Sequence, residues 1–179
     1  MPNYLRAHIP GGTYFFTLAT MERQPVLLKP EIRAALRQAI DLTRERYPFR
    51  IDAWVLLPDH LHCIWTLPEG DDQYGTRWSL IKRHITQSTR FSGGTRPSRI
   101  TRREGGLWQR RYWEHVIRDE NDFARHADYI HWNPVKHGLV QTVLEWPYST
   151  FHRYVRQGVY APDWGGFVGS PNDSFGEHT

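Results

Sequence analysis

A single cysteine, Cys63, in 179 residues excludes an internal disulfide framework and a cysteine-rich zinc site. No apolar run approaches the roughly 20 residues that a membrane-spanning helix requires. The opening "MPNYLRAHIPGGTYFF" has no basic stretch followed by a long apolar block. The chain is therefore read as soluble and intracellular. Internal repeats, heptads, a glycine-rich phosphate loop and a second domain are also missing. Residues 1–165 are read as one domain. The Gly/Pro/Asp/Ser-rich stretch 166–179 is expected to be a flexible tail.

What is present is aromatic and unevenly charged. Eight Trp, nine Tyr and eight Phe accompany a net charge of +4. Between Arg77 and Arg118 there are eleven Lys/Arg and two acids, Glu104 and Glu114, so the rest of the chain is net acidic. Such a block suits a polyanion, because each neutralised phosphate releases condensed counterions; a solvated basic loop is the plainer reading. Interleaved Trp78, Phe91, Trp108, Tyr112 and Trp113 favour nucleic acid, since unpaired bases stack on such rings.

Patterning predicts the elements. Aromatic and β-branched residues after a Gly-Gly turn predict a strand over 11–20. Over 29–48, Ile32, Ala35, Leu36, Ala39 and Ile40 keep helical spacing, with Pro30 near the start and Pro48 at the end. Residues 50–57 and 60–67 predict two closely joined strands. A helix over 77–91 would turn Leu80, Ile81 and Ile85 inward, before a basic loop over 92–106. A fourth strand over 111–119 precedes a helix over 119–132, capped by a leading Asp or Asn and bounded by Pro134. One short amphipathic segment follows "EWPYS". The order β-α-β-β-α-β-α is that of an α+β sandwich, a mostly antiparallel sheet with helices on one face.

Two segments carry chemistry. In "HLHCIWTL", strand alternation puts His60, His62, Ile64 and Thr66 on one side and Leu61, Cys63, Trp65 and Leu67 on the other. Two imidazoles so placed can converge on one divalent ion; two incidental histidines give the same pattern. In "HADYIHWNPVKHG", Tyr129 and Asn133 stand at i and i+4 and point the same way. A packed core tyrosine fits Tyr129 equally well. Pro134 disfavours helical angles at the residue before it, so Asn133 is expected at the very end of the helix. His126 lies on the tyrosine's side at i−3, as a candidate helper, whereas His131 is rotated away. Asp59 either orients one of the paired histidines or is a turn residue after Pro58.

The "PDHLH" lead-in, "YIHWNPVKHGLV", "GGTYFFT", "WTLPEGD" and "WPYSTFHR" together resemble the HUH single-strand endonucleases of the one-tyrosine transposase family. Within it the chain looks most similar to the REP-associated tyrosine transposases, from about residue 4 to about residue 165. The resemblance implies a ferredoxin-like fold, His60 and His62 as ligands of Mg²⁺ or Mn²⁺, and Tyr129 as nucleophile. Asn133 takes the position where relatives place a polar third ligand, often Gln. The implied reaction cleaves and rejoins single-stranded REP hairpin DNA through a 5′-phosphotyrosine. The implied partner is that DNA, met in the cytoplasm at the nucleoid, and the protein is expected as a monomer, with a homodimer as the alternative.

The basic segment is the expected hairpin surface, through Arg77, Lys82, Arg83, Arg102, Arg103, Arg110 and Arg111. Lys136 is assigned either to the scissile strand or to an exposed turn. Two rival functions remain: a phosphodiesterase whose metal activates water, leaving Tyr129 structural, and a non-catalytic nucleic-acid binder whose histidines are incidental.

Overall fold

The computed structural model describes residues 7–89, 106–165 and 175. Its elements run β1 (Thr13–Ala19), α1 (Pro30–Arg46), β2 (Arg50–Leu56), β3 (His60–Thr66), α2 (Tyr74–Thr89), β4 (Trp113–Val116), α3 (Glu120–Lys136) and α4 (Phe151–Arg156). The four strands form one sheet in the order β2-β3-β1-β4, with every neighbouring pair antiparallel. This is the ferredoxin-like order expected from the β-α-β-β-α-β pattern. No helix among the described residues is long and apolar enough to cross a membrane.

Strand alternation divides the core. Tyr14, Phe16 and Leu18 of β1 and Leu61, Cys63 and Trp65 of β3 face α1 and α2, where Ile32, Leu36, Trp78 and Ile81 complete one buried cluster. Trp65 stacks on Trp78 with ring centres 4.0 Å apart. The other face carries Phe15, Ala53, Val55 and Ile64, and α3 lies against it through Ala127, Tyr129 and Ile130. Helices α1 and α2 thus share one face, and α3, the third expected helix, is laid across the opposite one. That placement faces Tyr129 towards the histidine side of β3.

The expected strand over 111–119 narrows to Trp113–Val116, and two helix boundaries lie three or more residues from expectation for physical reasons. Helix α2 begins at Tyr74 rather than residue 77, because the buried Tyr74 ring packs on Tyr14 and Phe16 and gives the first turn an apolar anchor. Helix α3 does not stop before Pro134 but runs to Lys136. The steric preference at the residue before proline is overridden by packing, since Asn133 is fully buried. His137 N–H still reaches the Asn133 carbonyl at 3.0 Å, and Gly138, at φ +66°, ends the helix.

Candidate active site

The turn between β2 and β3 is a two-residue connection, Pro58–Asp59, closed by Leu57 N–H to the His60 carbonyl at 2.9 Å. Its backbone is held from outside as well: Leu27 N–H donates to Pro58 O and Thr20 N–H to Asp59 O, each at 2.8 Å. His60 therefore starts β3 at a fixed point, and His62 follows on the same face, opposite Thr17 of β1. Both imidazoles are buried, and their ring centres lie 4.9 Å apart.

Hydrogen bonds fix the tautomer of each ring. The Asp59 carboxylate accepts from His60 Nδ1 at 2.7 Å. Burial works against the Asp59 charge, yet the bond to His60 and the charge of Arg23 hold its pKa below the ordinary value. The Thr17 hydroxyl donates to the Phe175 carbonyl at 2.8 Å, so it can only accept from His62 Nδ1, also 2.8 Å away. Each Nδ1 then carries the proton and each Nε2 carries a lone pair. Metal-binding histidines are oriented in this way, the second nitrogen donating to a carboxylate or other acceptor. The donor set fits a divalent cation.

Tyr129 is buried on α3, its ring 5.3 Å from that of His62. Lys136, two turns further along, donates from Nζ to the phenolic oxygen at 2.9 Å, with its ammonium 4.7 Å from the ring centre. Sequence reasoning, which sets Lys136 against DNA or in an exposed turn, misses its bond to the tyrosine. The i+7 spacing is the available signal, hidden by ending the helix before Pro134. Phe175 carries no sequence signal of its own; its ring lies 4.3 Å from that of Tyr129. The rest of the expected tail, 166–174 and 176–179, lies outside the described residues.

Other candidate residues sit elsewhere. The polar and ring contacts of His126 run to Asp122, His115, Phe15 and Phe175 rather than to Tyr129. Burial pushes the pKa of His126 down to about 4. His115, Asp122 and His126 are close enough to suggest a second cation site. The near-parallel stacking of the imidazoles, 4.6 Å apart at 14°, does not make their lone pairs converge, and Arg118 already binds Asp122 Oδ2 at 3.0 Å. His131 turns away to Thr150 Oγ1 at 2.8 Å, and burial drives its pKa down to about 3.

Arg77 is a correction. Its side chain is 0 % exposed, chelates Asp71 at 2.6 and 3.0 Å, and donates to the carbonyls of Tyr47, Pro48 and Gln73. It locks the start of α2 to the end of α1 and has no surface to offer DNA. Lys82 donates to Gln109 O at 3.0 Å, while Arg83, Arg110 and Arg111 are exposed. Arg102 and Arg103 lie outside the described residues.

No protein-family model matches the chain. It is 45% identical over 168 residues to the REP-associated tyrosine transposase of Escherichia coli (strain K12), spanning 94% of this chain and 93% of that one. It is 46% identical over 167 residues to a putative REP-associated tyrosine transposase of Haemophilus influenzae, spanning 93% and 94%. A solved structure of a REP-associated tyrosine transposase bound to a REP hairpin matches with a TM-score of 0.85 at 44% identity, over 100% of this chain and 99% of that one. The fold and these relatives define a transposase. The chain belongs to the REP-associated tyrosine transposase family.

Proposed function

We propose that this protein is a metal-dependent single-stranded DNA endonuclease and strand transferase, which cuts and rejoins REP-type hairpin DNA through Tyr129. The observation that carries the reading is the meeting of two tautomer-fixed imidazoles with a lysine-held phenol on one face of the sheet. His60, His62 and, from the family pattern, Asn133 are the residues that would hold the ion. When bound, Mg²⁺ or Mn²⁺ supplies Lewis-acid polarisation of the scissile phosphate.

The chain's own groups do the rest. A phenol of pKa about 10 is mostly protonated at neutral pH and needs activation. The Lys136 ammonium, bonded to the phenolic oxygen, sits where negative charge grows as that oxygen gives up its proton. Tyr129 Oη gives its proton to solvent and attacks phosphorus, the bond from phosphorus to the 3′-oxygen breaks, and that oxygen takes a proton from solvent and leaves as a 3′-hydroxyl. The new 5′-phosphotyrosine keeps the phosphoester linkage, so a 3′-hydroxyl can reverse the step and join strands without ATP. The hairpin relative supports REP DNA as substrate. The exposed Arg83, Arg110 and Arg111 are the described basic side chains proposed to contact its phosphates.

The test is incubation with single-stranded REP hairpin and Mn²⁺ or Mg²⁺, followed by a denaturing gel. A covalent adduct is expected from the wild type and not from Tyr129→Phe. Cleavage that persists in Tyr129→Phe identifies water as the nucleophile; tight binding without any cleavage identifies a pure binder.

A further inference from the structure

Beyond the two strand histidines, a third imidazole lies beside His60. His137 follows the last residue of α3 and is exposed. It stands at i+8 from Tyr129 and i+4 from Asn133, on one helix face. Its ring centre lies 5.1 Å from that of His60, with the planes at 73°. The His60 and His62 rings stand 4.9 Å apart at 84°.

These spacings have a geometric meaning. With metal–nitrogen bonds of about 2.1 Å, each imidazole centre lies roughly 3.2 Å from a shared ion, and ligand angles of about 90–109° put neighbouring ring centres roughly 4.6–5.3 Å apart. Both measured separations fall in that range, and His60 is the ring common to both. The edge-to-face planes also suit imidazoles arranged around a point better than rings stacked for packing.

We propose that His137 is a ligand of the same cation as His60 and His62, entering from the solvent side. This rests on the metal-dependent reading of the site. His60 and His62 come from β3 and are rigidly oriented; His137 comes from the end of the tyrosine helix. A shared ion would tie that helix end to the strand, setting the helix that carries Tyr129 against the sheet. The backbone holds His137 at a defined helix terminus, since its N–H is bonded to Asn133 O at 3.0 Å and Gly138 N–H to Val135 O at 2.9 Å.

The experiment titrates Mn²⁺ into the full-length protein by calorimetry, and pulsed EPR of bound Mn²⁺ counts coupled imidazole nitrogens. Wild type is expected to show three such nitrogens, and His137→Ala two, with Mn²⁺ affinity at least about tenfold weaker and an unchanged melting temperature in the absence of metal. His60→Ala serves as the reference for loss of an inner ligand. Unchanged affinity and nitrogen coupling in His137→Ala, with His60→Ala impaired, overturns the assignment while leaving the metal-dependent reading intact. Failure of the wild type to bind Mn²⁺ at all overturns both.

Discussion

The Lys136 ammonium donates a 2.9 Å hydrogen bond to the phenolic oxygen of Tyr129. The two residues belong to one helix, seven positions apart, so the contact depends on α3 continuing through Pro134. A hydrogen bond between charged partners contributes about 1.5–3 kcal/mol, or roughly 10- to 100-fold in rate if it forms fully only with the phenolate. Lys136→Met is therefore expected to slow single-turnover adduct formation by about that factor, and Lys136→Arg by less. Equal adduct rates in wild type and Lys136→Met would show that the lysine does nothing for the nucleophile.

Asp59 and Thr17 hold the two imidazoles through Nδ1, at 2.7 and 2.8 Å. Loss of such outer partners typically weakens metal binding about 10- to 100-fold. Asp59→Asn and Thr17→Val are each expected to reduce Mn²⁺ affinity by that order in calorimetry. Thr17→Val also leaves a buried N–H without its acceptor, at about 1–3 kcal/mol of stability. Mn²⁺ binding as tight as wild type in both variants would refute the idea that these bonds prepare the rings.

Arg77 and Arg83 look alike in sequence and behave oppositely. Removing Arg77 takes two bonds from Asp71, which among the described residues keeps only the Gln73 N–H, and one from each of three carbonyls. Breaking a fully buried pair costs about 3–5 kcal/mol; because Asp71 keeps partial solvent contact, roughly 2 kcal/mol is expected for Arg77→Ala. Urea unfolding measures it. Arg83→Ala and Arg110→Ala should leave stability unchanged. Each should lower hairpin affinity and reduce the salt dependence by about one unit, as for a lost phosphate contact.

That contrast marks where sequence stops informing. The alternation of "HLHCIWTL" places the histidines on one face and Leu61, Cys63 and Trp65 on the other, and the structure has the same division. The ferredoxin-like order was legible because strand and helix periodicities are local. A charge pattern carries no burial: nothing local to Arg77 announces that Pro48 O and Asp71 lie within reach, since both depend on how α1 and α2 pack. Lys136 and His137 were hidden differently. A local rule about proline ends the helix early, and the burial of Asn133 and Pro134, which overrules it, is a tertiary fact.

His126 gives stability a pH dependence. Burial holds its pKa at about 4 in the folded chain, against an ordinary histidine value of 6.5. Between those values the unfolded chain binds more protons, so stability is full above about pH 6.5 and falls as pH drops towards 4. Burial opposes the Asp122 charge, yet Arg118 and His115 hold that carboxyl below its ordinary value, which adds a further loss at still lower pH. The melting temperature is expected to decline from pH 7 to pH 4.5, and His126→Phe to flatten that decline by keeping a ring without a proton site. An identical pH profile in the variant would assign the acid sensitivity to other groups.

Phe175 lies over the tyrosine that is proposed to attack. Its ring is 4.3 Å from that of Tyr129 and 4.7 Å from that of His126, and its carbonyl accepts a hydrogen bond from the Thr17 hydroxyl. A scissile phosphate approaching Tyr129 from that side has to displace this ring. If the covered arrangement dominates, only the uncovered fraction reacts, and the observed rate scales with that fraction. A fully buried phenylalanine side chain is worth about 1.5–3 kcal/mol; Phe175 is only partly buried, so its loss can raise the uncovered fraction by up to roughly tenfold. Phe175→Ala is expected to increase adduct formation on REP hairpin DNA by up to that factor. A purely structural phenylalanine predicts only a lower melting temperature, with no gain in rate, so single-turnover kinetics separates the two.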